Sequence, residues 1–253
     1  MDNEITNDRI LYRDEYLAVV YKMIGEVCEN DAKDVKLSLV ENMRAVLESA
    51  ASRALPELES VHRIDQPVSG CVLLAFDRKI NAALSSEFSS GSVRKKYWAI
   101  VEKSSVSSSG GRLEHLIRFD RKHHKALALK KEDVRKNGPD WKPASLEWKL
   151  VGSGDRYDFL EIIPETGRTH QIRAQLAASG RPIKGDLKYG SRRSDPLGGI
   201  RLHAFSISFR HPVSGEMIDV SAPVMNPDAL WRAFMEKAAE DAPATDGGEH
   251  RED

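Results

Sequence analysis

Cysteine is scarce in this chain, which has only Cys28 and Cys71 among its 253 residues. Two distant cysteines make neither a disulfide framework nor a zinc knuckle, so a small disulfide-stapled fold is excluded and a reducing compartment is favoured. Apolar stretches are also short, since none approaches the roughly 20 residues that span a bilayer. The acidic start at residues 1–4 lacks the basic region of a signal peptide. We therefore expect a cytoplasmic protein with no membrane partner.

Metal-ligand spacings are missing as well. The eight histidines include the adjacent His123 and His124, yet no two histidines stand at the HxxxH spacing and no Cys/His cluster accompanies them. The sequence therefore predicts no metal site.

Net charge is only −1, but it is unevenly distributed. Residues 236–253 hold seven acidic and two basic side chains, which leaves +4 for residues 1–235. Basic residues outnumber acidic ones by fourteen to six in residues 92–142 and by eight to three in residues 163–203. Such clusters neutralise phosphates and favour a nucleic-acid partner, although solvated protein faces are an open alternative.

The length suits one large domain or two small ones. We expect one continuous catalytic body at residues 1–235, followed by an acidic, disordered tail at residues 236–253 that contains Gly, Ala and Pro. Apolar runs and alternation predict strands, and helical spacing with end signals predicts helices. The predicted strands are 10–12, 17–21, 71–76, 112–118, 124–130, 144–151, 157–163 and 202–209. The predicted helices are 37–50, 79–90, 169–179 and one that begins near Pro227, with a Ser/Gly loop at 104–111. This order predicts an α+β fold with a meandering, mainly antiparallel sheet.

One aspartate is a candidate for chemistry. Residues 62–70 have the sequence His-Arg-Ile-Asp-Gln-Pro-Val-Ser-Gly, in which Asp65 lies between a basic dipeptide and a Ser-Gly turn. The apolar run that follows predicts a buried strand, and a loop held by a rigid strand is well suited to carry a catalytic group. From this loop alone, a turn-capping aspartate is the alternative.

Further blocks accompany this loop along the chain. They are Glu-Thr-Gly-Arg-Thr-His-Gln-Ile-Arg at 165–173, Gly-Arg-Pro-Ile-Lys-Gly-Asp-Leu-Lys-Tyr-Gly at 180–190, and shorter matches at 96–101, 202–204, 211–216 and 222–223. In this order the blocks resemble the RluA-type family of RNA pseudouridine synthases, and the resemblance extends over about residues 10–224. The chain resembles the shorter members, which consist of the catalytic domain alone.

The resemblance implies a fold, a reaction and a partner. The fold would be the pseudouridine synthase fold, a mixed, mainly antiparallel sheet with flanking helices and a central RNA-binding cleft. The reaction would isomerise uridine in structured ribosomal or transfer RNA to pseudouridine after base flipping, and it requires no cofactor. We expect the protein to act as a monomer.

The resemblance also implies three catalytic residues. Asp65 would be the essential aspartate, whether it adds to the ribose, adds to the base or removes a proton. A lone buried carboxylate would tend to be neutral, so the resemblance places Arg173 against it as the counter-ion. Tyr97 would stack on the flipped uracil with its hydroxyl near the C5 proton.

Five more residues form the predicted RNA-binding set. Arg63 would occupy the gap left by the flipped base, because its planar guanidinium can stack as well as bind phosphate. Arg168 would reach phosphate, and His170 would share a helix face with Arg173. The set is completed by His62 and Lys96.

Two segments depart from the family pattern. Residues 22–25 are Lys-Met-Ile-Gly where relatives have Lys-Pro-Ala-Gly, and Pro67 and Val68 replace an acidic residue and a threonine. The Asp65 loop thereby loses a carboxylate and a hydroxyl but gains a rigid proline. Two alternatives therefore stay open: a catalytically silent RNA-binding protein on the same scaffold, and an unrelated hydrolase that uses Asp65 and a histidine.

Overall fold

The structure is a computed structural model that describes residues 7–29, 38–105, 108–130, 132 and 140–241. The strands in these residues are β1 Ile10–Arg13, β2 Leu17–Lys22, β3 Glu59–Ser60, β4 Ser69–Ala75, β5 Arg94–Glu102, β6 Gly110–Asp120, β7 Lys125–Leu129, β8 Lys142–Ser153, β9 Tyr157–Pro164, β10 Leu202–Arg210 and β11 Met217–Ser221. The α-helices are α1 Leu39–Ala51, α2 Arg78–Ser90, α3 Gln171–Ala178 and α4 Ala229–Glu240. A short 3₁₀ helix spans Leu187–Tyr189.

The strands form one mixed sheet in the order β1-β2-β4-β10-β5-β9-β8-β6-β7, with β3 beside β4 and β11 beside β10. Neighbouring strands are antiparallel except for β4 and β10, which pair in parallel through His203 with Ser69 and Ala204 with Gly70. A Cβ at Gly70 would lie 2.3 Å from the Ala204 carbonyl oxygen, and the φ of Gly70 is +118°. Only glycine fits this close approach. The predicted α+β fold with a mixed, mainly antiparallel sheet is confirmed.

Side-chain alternation gives the sheet two buried faces. Ala18 and Val20 of β2 face the core shared with α1 and α3, whereas Leu17 and Val19 face the core shared with α2. Further along the sheet, α4 covers a third cluster built on Trp98 of β5. The central strands are therefore covered on both sides, which makes them a rigid base for the loops at their ends.

Local signals explain the helix ends. Ser38 and Glu41 form a capping box at the start of α1, and the Asp77 side chain accepts a hydrogen bond from Ile80 N at the start of α2. Helix α2 ends at Gly91, as predicted, in a left-handed conformation. The predicted first residue of α1, position 37, lies outside the described residues.

Several predicted boundaries differ from the structure. Helix α3 begins at Gln171 rather than at 169, because His170 is left-handed, with a φ of 54°, and cannot continue a helix. Strand β6 already begins at Gly110, within the predicted loop. Helix α4 runs to Glu240, so residues 236–240 are helical, and residues 242–253 lie outside the described part of the chain. No helix in the described residues is long and apolar enough to cross a membrane.

Candidate active site

A cleft of about 530 Å³ opens beside the sheet, next to α3. Three segments form most of its walls: the Asp65 loop that precedes β4, the first half of β5, and residues 164–173, which lead into α3; residues 27–29 add a further part. These segments are distant in sequence but meet because β4, β10, β5 and β9 are consecutive neighbours in the sheet.

Arg173 joins two carboxylates at the base of this cleft. Its Nη1 donates to Asp65 Oδ2 at 2.9 Å, while Nε and Nη2 donate to the two oxygens of Asp186 at 2.7 and 2.9 Å. The side chains of Arg173 and Asp186 are 6% and 2% exposed, whereas that of Asp65 is 23% exposed. Burial alone would lower the pKa of Arg173, but its bonds to Asp186 and the charge of Asp65 outweigh burial and raise it. Arg173 is therefore a permanent cation beside Asp65.

Hydrogen bonds to backbone carbonyls hold the Asp65 loop against the segment that follows β2. Gly25 N donates to Gln66 O at 2.9 Å, and the Gln66 side-chain nitrogen donates back to Gly25 O at 3.1 Å. Lys22 is fully buried, and its Nζ donates to Gln66 O at 3.2 Å. Burial lowers the pKa of Lys22 to about 8, although the nearby Cys28, Glu26 and Asp65 oppose this shift.

The two segments that depart from the family pattern meet at this point. Pro67 O accepts a hydrogen bond from Ile200 N at 3.1 Å. A Cβ at Gly199 would lie 2.5 Å from Ile24 Cγ2 and 2.7 Å from Pro67 O. The altered residues at 24 and 67 therefore pack against the same glycine, and the loop keeps a closely packed position.

Tyr97 forms part of the cleft wall. It lies on β5, packs against the main core and lines the cleft. Burial raises its pKa, and the negative charge of Asp65 raises it further. The hydroxyl therefore stays protonated at neutral pH, and the ring offers an apolar surface beside the carboxylate.

His170 lies on the other side of Asp65, with its Nε2 3.9 Å from Asp65 Oδ2. Its Nδ1 is 2.9 Å from the hydroxyl of Tyr189, and Phe119 packs edge-on against its ring at a centroid distance of 5.6 Å. Burial lowers the pKa of His170, while Asp65 opposes this shift. His170 and Arg173 thus both approach Asp65, although His170 precedes the helix instead of belonging to it.

Two predicted RNA-binding arginines lie at the rim. The Arg63 side chain is 73% exposed, with its nearest carboxylate, that of Glu29, at 3.8 Å. Arg168 is exposed and its Nε donates to Pro143 O at 3.1 Å. Both line the cleft, where they add positive charge near the carboxylates of Asp65 and Glu29.

His62 is a neutral part of the wall. Its Nε2 accepts a hydrogen bond from Leu73 N at 3.1 Å, and its ring stacks on Phe88 at a centroid distance of 4.7 Å. Burial lowers the pKa of His62 to about 3, with a smaller contribution from Lys95. His62 therefore shapes the cleft without adding charge to it.

Lys96, which is predicted to bind RNA, is not among the residues that line the cleft. Successive side chains on a strand point to opposite faces, so Lys96 faces away from Tyr97 and pairs with Glu161 at 3.1 Å. Lys95 shares the face of Tyr97 and lines the cleft, with its Nζ 5.5 Å from the centre of the Phe88 ring. The alternation that starts from Tyr97 is a sequence signal that identifies Lys95.

Three more residues of this site carry no role in the sequence analysis. Asp186 and Tyr189 belong to the block at 180–190, and only their side-chain contacts reveal what they do. Gln171 closes the turn before α3, since its Oε1 accepts from Arg168 N at 2.9 Å and its Nε2 donates to Ser145 O at 3.0 Å. Among the described residues, no group of three or more His, Cys, Asp or Glu side chains is arranged to hold a metal ion.

Comparison with known proteins identifies the family. Residues 16–178 match the sequence profile described as RNA pseudouridylate synthase. The chain belongs to this family. The resemblance found in the separate blocks of sequence is thereby confirmed.

Curated pseudouridine synthases cover most of the chain. The ribosomal large subunit pseudouridine synthase C of Vibrio parahaemolyticus is 31% identical over 223 residues, which are 85% of this chain and 65% of the relative. The ribosomal large subunit pseudouridine synthase D of Xanthomonas campestris is 33% identical over 236 residues, or 88% of this chain and 67% of the relative. The chain thus spans about 65% of the length of the first of these relatives.

Solved structures of pseudouridylate synthases share the fold. Human RNA pseudouridylate synthase domain containing 1 superposes with a TM-score of 0.71 at 23% identity, covering 97% of this chain and all of that one. Human RNA pseudouridylate synthase domain containing 4 has a TM-score of 0.69 at 19% identity, covering 92% and 93% of the two chains. The fold is therefore that of the pseudouridine synthases.

Proposed function

We propose that this protein is an RNA pseudouridine synthase that isomerises uridine in ribosomal or transfer RNA, with Asp65 as the essential residue. The observation that carries the proposal is the contact between Asp65 and the buried guanidinium of Arg173, at 2.9 Å, in a cleft of a member of this family. Related proteins are named for the large ribosomal subunit and for tRNA, which supports these two RNA classes as substrates.

The reaction needs an ionised carboxylate in an enclosed site. The bond between uracil N1 and ribose C1′ breaks, the base turns, and a bond forms between C5 and C1′. C5 loses a proton and N1 gains one, so the reaction requires neither oxidant nor cofactor. Whether Asp65 attacks the sugar, attacks the base or removes a proton, it must be negatively charged. Arg173 places a positive charge 2.9 Å from this carboxylate.

The walls of the cleft suit a detached base. The ring of Tyr97 offers a stacking surface for uracil, and its protonated hydroxyl can donate a hydrogen bond to the base. Tyr97, together with the apolar side chains beside it, limits access of water while the base is free. The neutral ring of His62 adds to this wall.

The rim suits an extruded nucleotide and its phosphates. A stacked uridine reaches Asp65 only after flipping, and the planar guanidinium of Arg63, exposed at the rim, then stacks in the vacated position. Arg168 and Lys95 add charge for the RNA backbone. His170, next to Asp65, contacts the target nucleotide. We expect the protein to act on structured RNA as a monomer in the cytoplasm.

The test is pseudouridine mapping on total RNA from a strain that lacks this protein. The RNA is incubated with wild-type protein, with Asp65→Asn and with a control, Asp219→Asn, whose carboxylate is exposed on β11 outside the cleft. Wild type and the control should restore the same pseudouridine, whereas Asp65→Asn should restore none. Equal activity of Asp65→Asn and wild type would overturn the role of Asp65.

The two alternatives give other outcomes in the same assay. Tight RNA binding with no new pseudouridine from wild-type protein would indicate a silent RNA-binding protein. Release of free uracil would indicate a hydrolase. The circular dichroism spectrum of Asp65→Asn should match that of wild type. A matching spectrum would show that a loss of activity reflects the missing charge and not unfolding.

A further inference from the structure

The hydroxyl of Tyr189 connects a backbone amide to His170. Ala126 N, on β7, lies 2.7 Å from the Tyr189 oxygen, and a backbone N–H can only donate. The Tyr189 oxygen therefore accepts this bond, which leaves its own proton available for His170 Nδ1 at 2.9 Å. In this arrangement Nδ1 is the acceptor, and an Nδ1 that accepts carries no proton.

The surroundings of His170 favour the neutral ring. Burial lowers its pKa, and the positive charges of Arg173 and Lys188 act in the same direction. The carboxylates of Asp65 and Asp186 oppose them, but the net direction is downward. A neutral imidazole whose Nδ1 accepts must carry its proton on Nε2.

Nε2 is the ring nitrogen that faces the catalytic carboxylate. It lies 3.9 Å from Asp65 Oδ2, which is too long for a hydrogen bond, and the ring lines the cleft. The N–H therefore lies close to Asp65 but makes no hydrogen bond to it. A neutral donor at this point adds no charge beside Asp65, whose carboxylate is paired with Arg173.

The position of the ring is held from several sides. The backbone of His170 has a φ of 54°, an unfavourable value for a residue with a Cβ, which persists only where the surroundings impose it. Phe119 packs against the ring edge, and the Arg173 guanidinium lies 4.9 Å from the centre of the Tyr189 ring. Tyr189 itself is 6% exposed.

We propose that Tyr189 is a positioning residue that holds His170 in the Nε2–H tautomer, so that this N–H donates to an oxygen of the target uridine beside Asp65. The inference rests on the proposed function for the identity of the ligand. The proposed tautomer rests on the contacts among Ala126, Tyr189 and His170 and involves no substrate. A fixed donor of this kind stabilises negative charge that develops on the uracil oxygens when the bond to N1 breaks.

The tautomer can be measured without substrate. Long-range proton–nitrogen spectra of protein labelled with ¹⁵N-histidine, at pH 7, should show Nδ1 of His170 as an unprotonated nitrogen and Nε2 as a protonated one. His170→Gln assigns the signals. Tyr189→Phe should move the chemical shifts of both nitrogens toward the average of the two tautomers. Tyr12→Phe removes a hydroxyl that is bonded to Asp14, far from the cleft, and should leave these chemical shifts unchanged. A wild-type ring protonated at Nδ1, or at both nitrogens, would overturn the proposal.

Kinetics test what the tautomer does. On the transcript identified by pseudouridine mapping, Tyr189→Phe should lower kcat about tenfold, the effect of one lost hydrogen bond, with little change in KM. His170→Gln places an amide N–H near the position of Nε2 and should retain more activity than His170→Phe, which has no donor. Equal activity of these two His170 variants would refute the donor role. Absence of activity in wild type would instead refute the proposed function and leave the spectroscopic result standing.

Discussion

Arg173 offers Asp65 a single nitrogen, Nη1 at 2.9 Å, because Asp186 holds its other two nitrogens. A guanidinium bound through two parallel hydrogen bonds cannot rotate, so the direction of the remaining N–H is fixed. The carboxylate of Asp65 is therefore positioned by a group that is itself positioned by a third residue. Asp186 is only 2% exposed, so it acts on the site through Arg173.

Asp186→Asn should impair both catalysis and stability. The amide keeps one acceptor but removes the negative charge, so Arg173 loses its fixed plane and a buried counter-ion. We expect kcat to fall by at least about tenfold, and the free energy of unfolding to fall by about 3 kcal/mol, as for other broken buried ion pairs. Turnover on RNA and urea unfolding measure the two effects. Wild-type turnover in this variant would contradict the positioning role.

Lys95 and Lys96 form a matched pair for testing RNA contact, because they are adjacent in sequence and face opposite ways. Lys95→Ala should weaken RNA binding and reduce the slope of log affinity against log salt by about 1, the effect of one lost phosphate contact. Lys96→Ala should change neither quantity. Fluorescence anisotropy with a labelled RNA stem-loop at several salt concentrations measures both. A larger effect for Lys96 would show that the RNA follows the other face of β5.

Substitutions at Gly199 and Gly198 distinguish the packing of the Asp65 loop from the backbone strain that a residue with a Cβ has at positive φ. Both have positive φ, +66° and +75°, but a Cβ at Gly198 meets nothing within 4 Å, whereas one at Gly199 would meet Ile24 and Pro67 O. Gly198→Ala should cost about 1 kcal/mol of unfolding free energy and leave turnover intact. Gly199→Ala should cost more unfolding free energy and should also lower turnover. Its Cβ would displace the backbone of Pro67, two residues after Asp65. Equal effects of the two substitutions would contradict this coupling.

Lys22 should make stability depend on pH in the alkaline range. Its pKa falls from the ordinary 10.5 to about 8 in the folded protein, so between these values the unfolded chain holds a proton that the folded chain has released. Stability contributed by this group therefore rises with pH across that window. We expect wild type to gain up to about 3 kcal/mol relative to Lys22→Met from pH 8 to pH 10.5. Urea unfolding of both proteins at several pH values measures the difference, and a flat difference would contradict the shift.

Local patterns were sufficient for much of the fold. Apolar runs and alternation predicted β2, β4, β9 and β10, and the Gly91 signal predicted the end of α2. Boundaries were wrong where a backbone conformation, rather than a pattern, sets the end, as at His170. The Asp65 loop and the block at 165–173 also identified the family from the sequence, because the residues of each motif are contiguous in the chain.

By itself, the sequence determined which side chains are available for the chemistry, namely one aspartate in a stiff loop, one tyrosine on a strand and several arginines. Only the tertiary structure decided which of them meet. Asp65 and Arg173 are 108 positions apart and are brought together by the order of strands in the sheet. Lys95 rather than Lys96 lines the cleft because successive side chains of a strand point to opposite faces of the sheet. Asp186 and Tyr189 acquire their roles from hydrogen-bond geometry, which depends on distances and angles that a linear pattern does not contain.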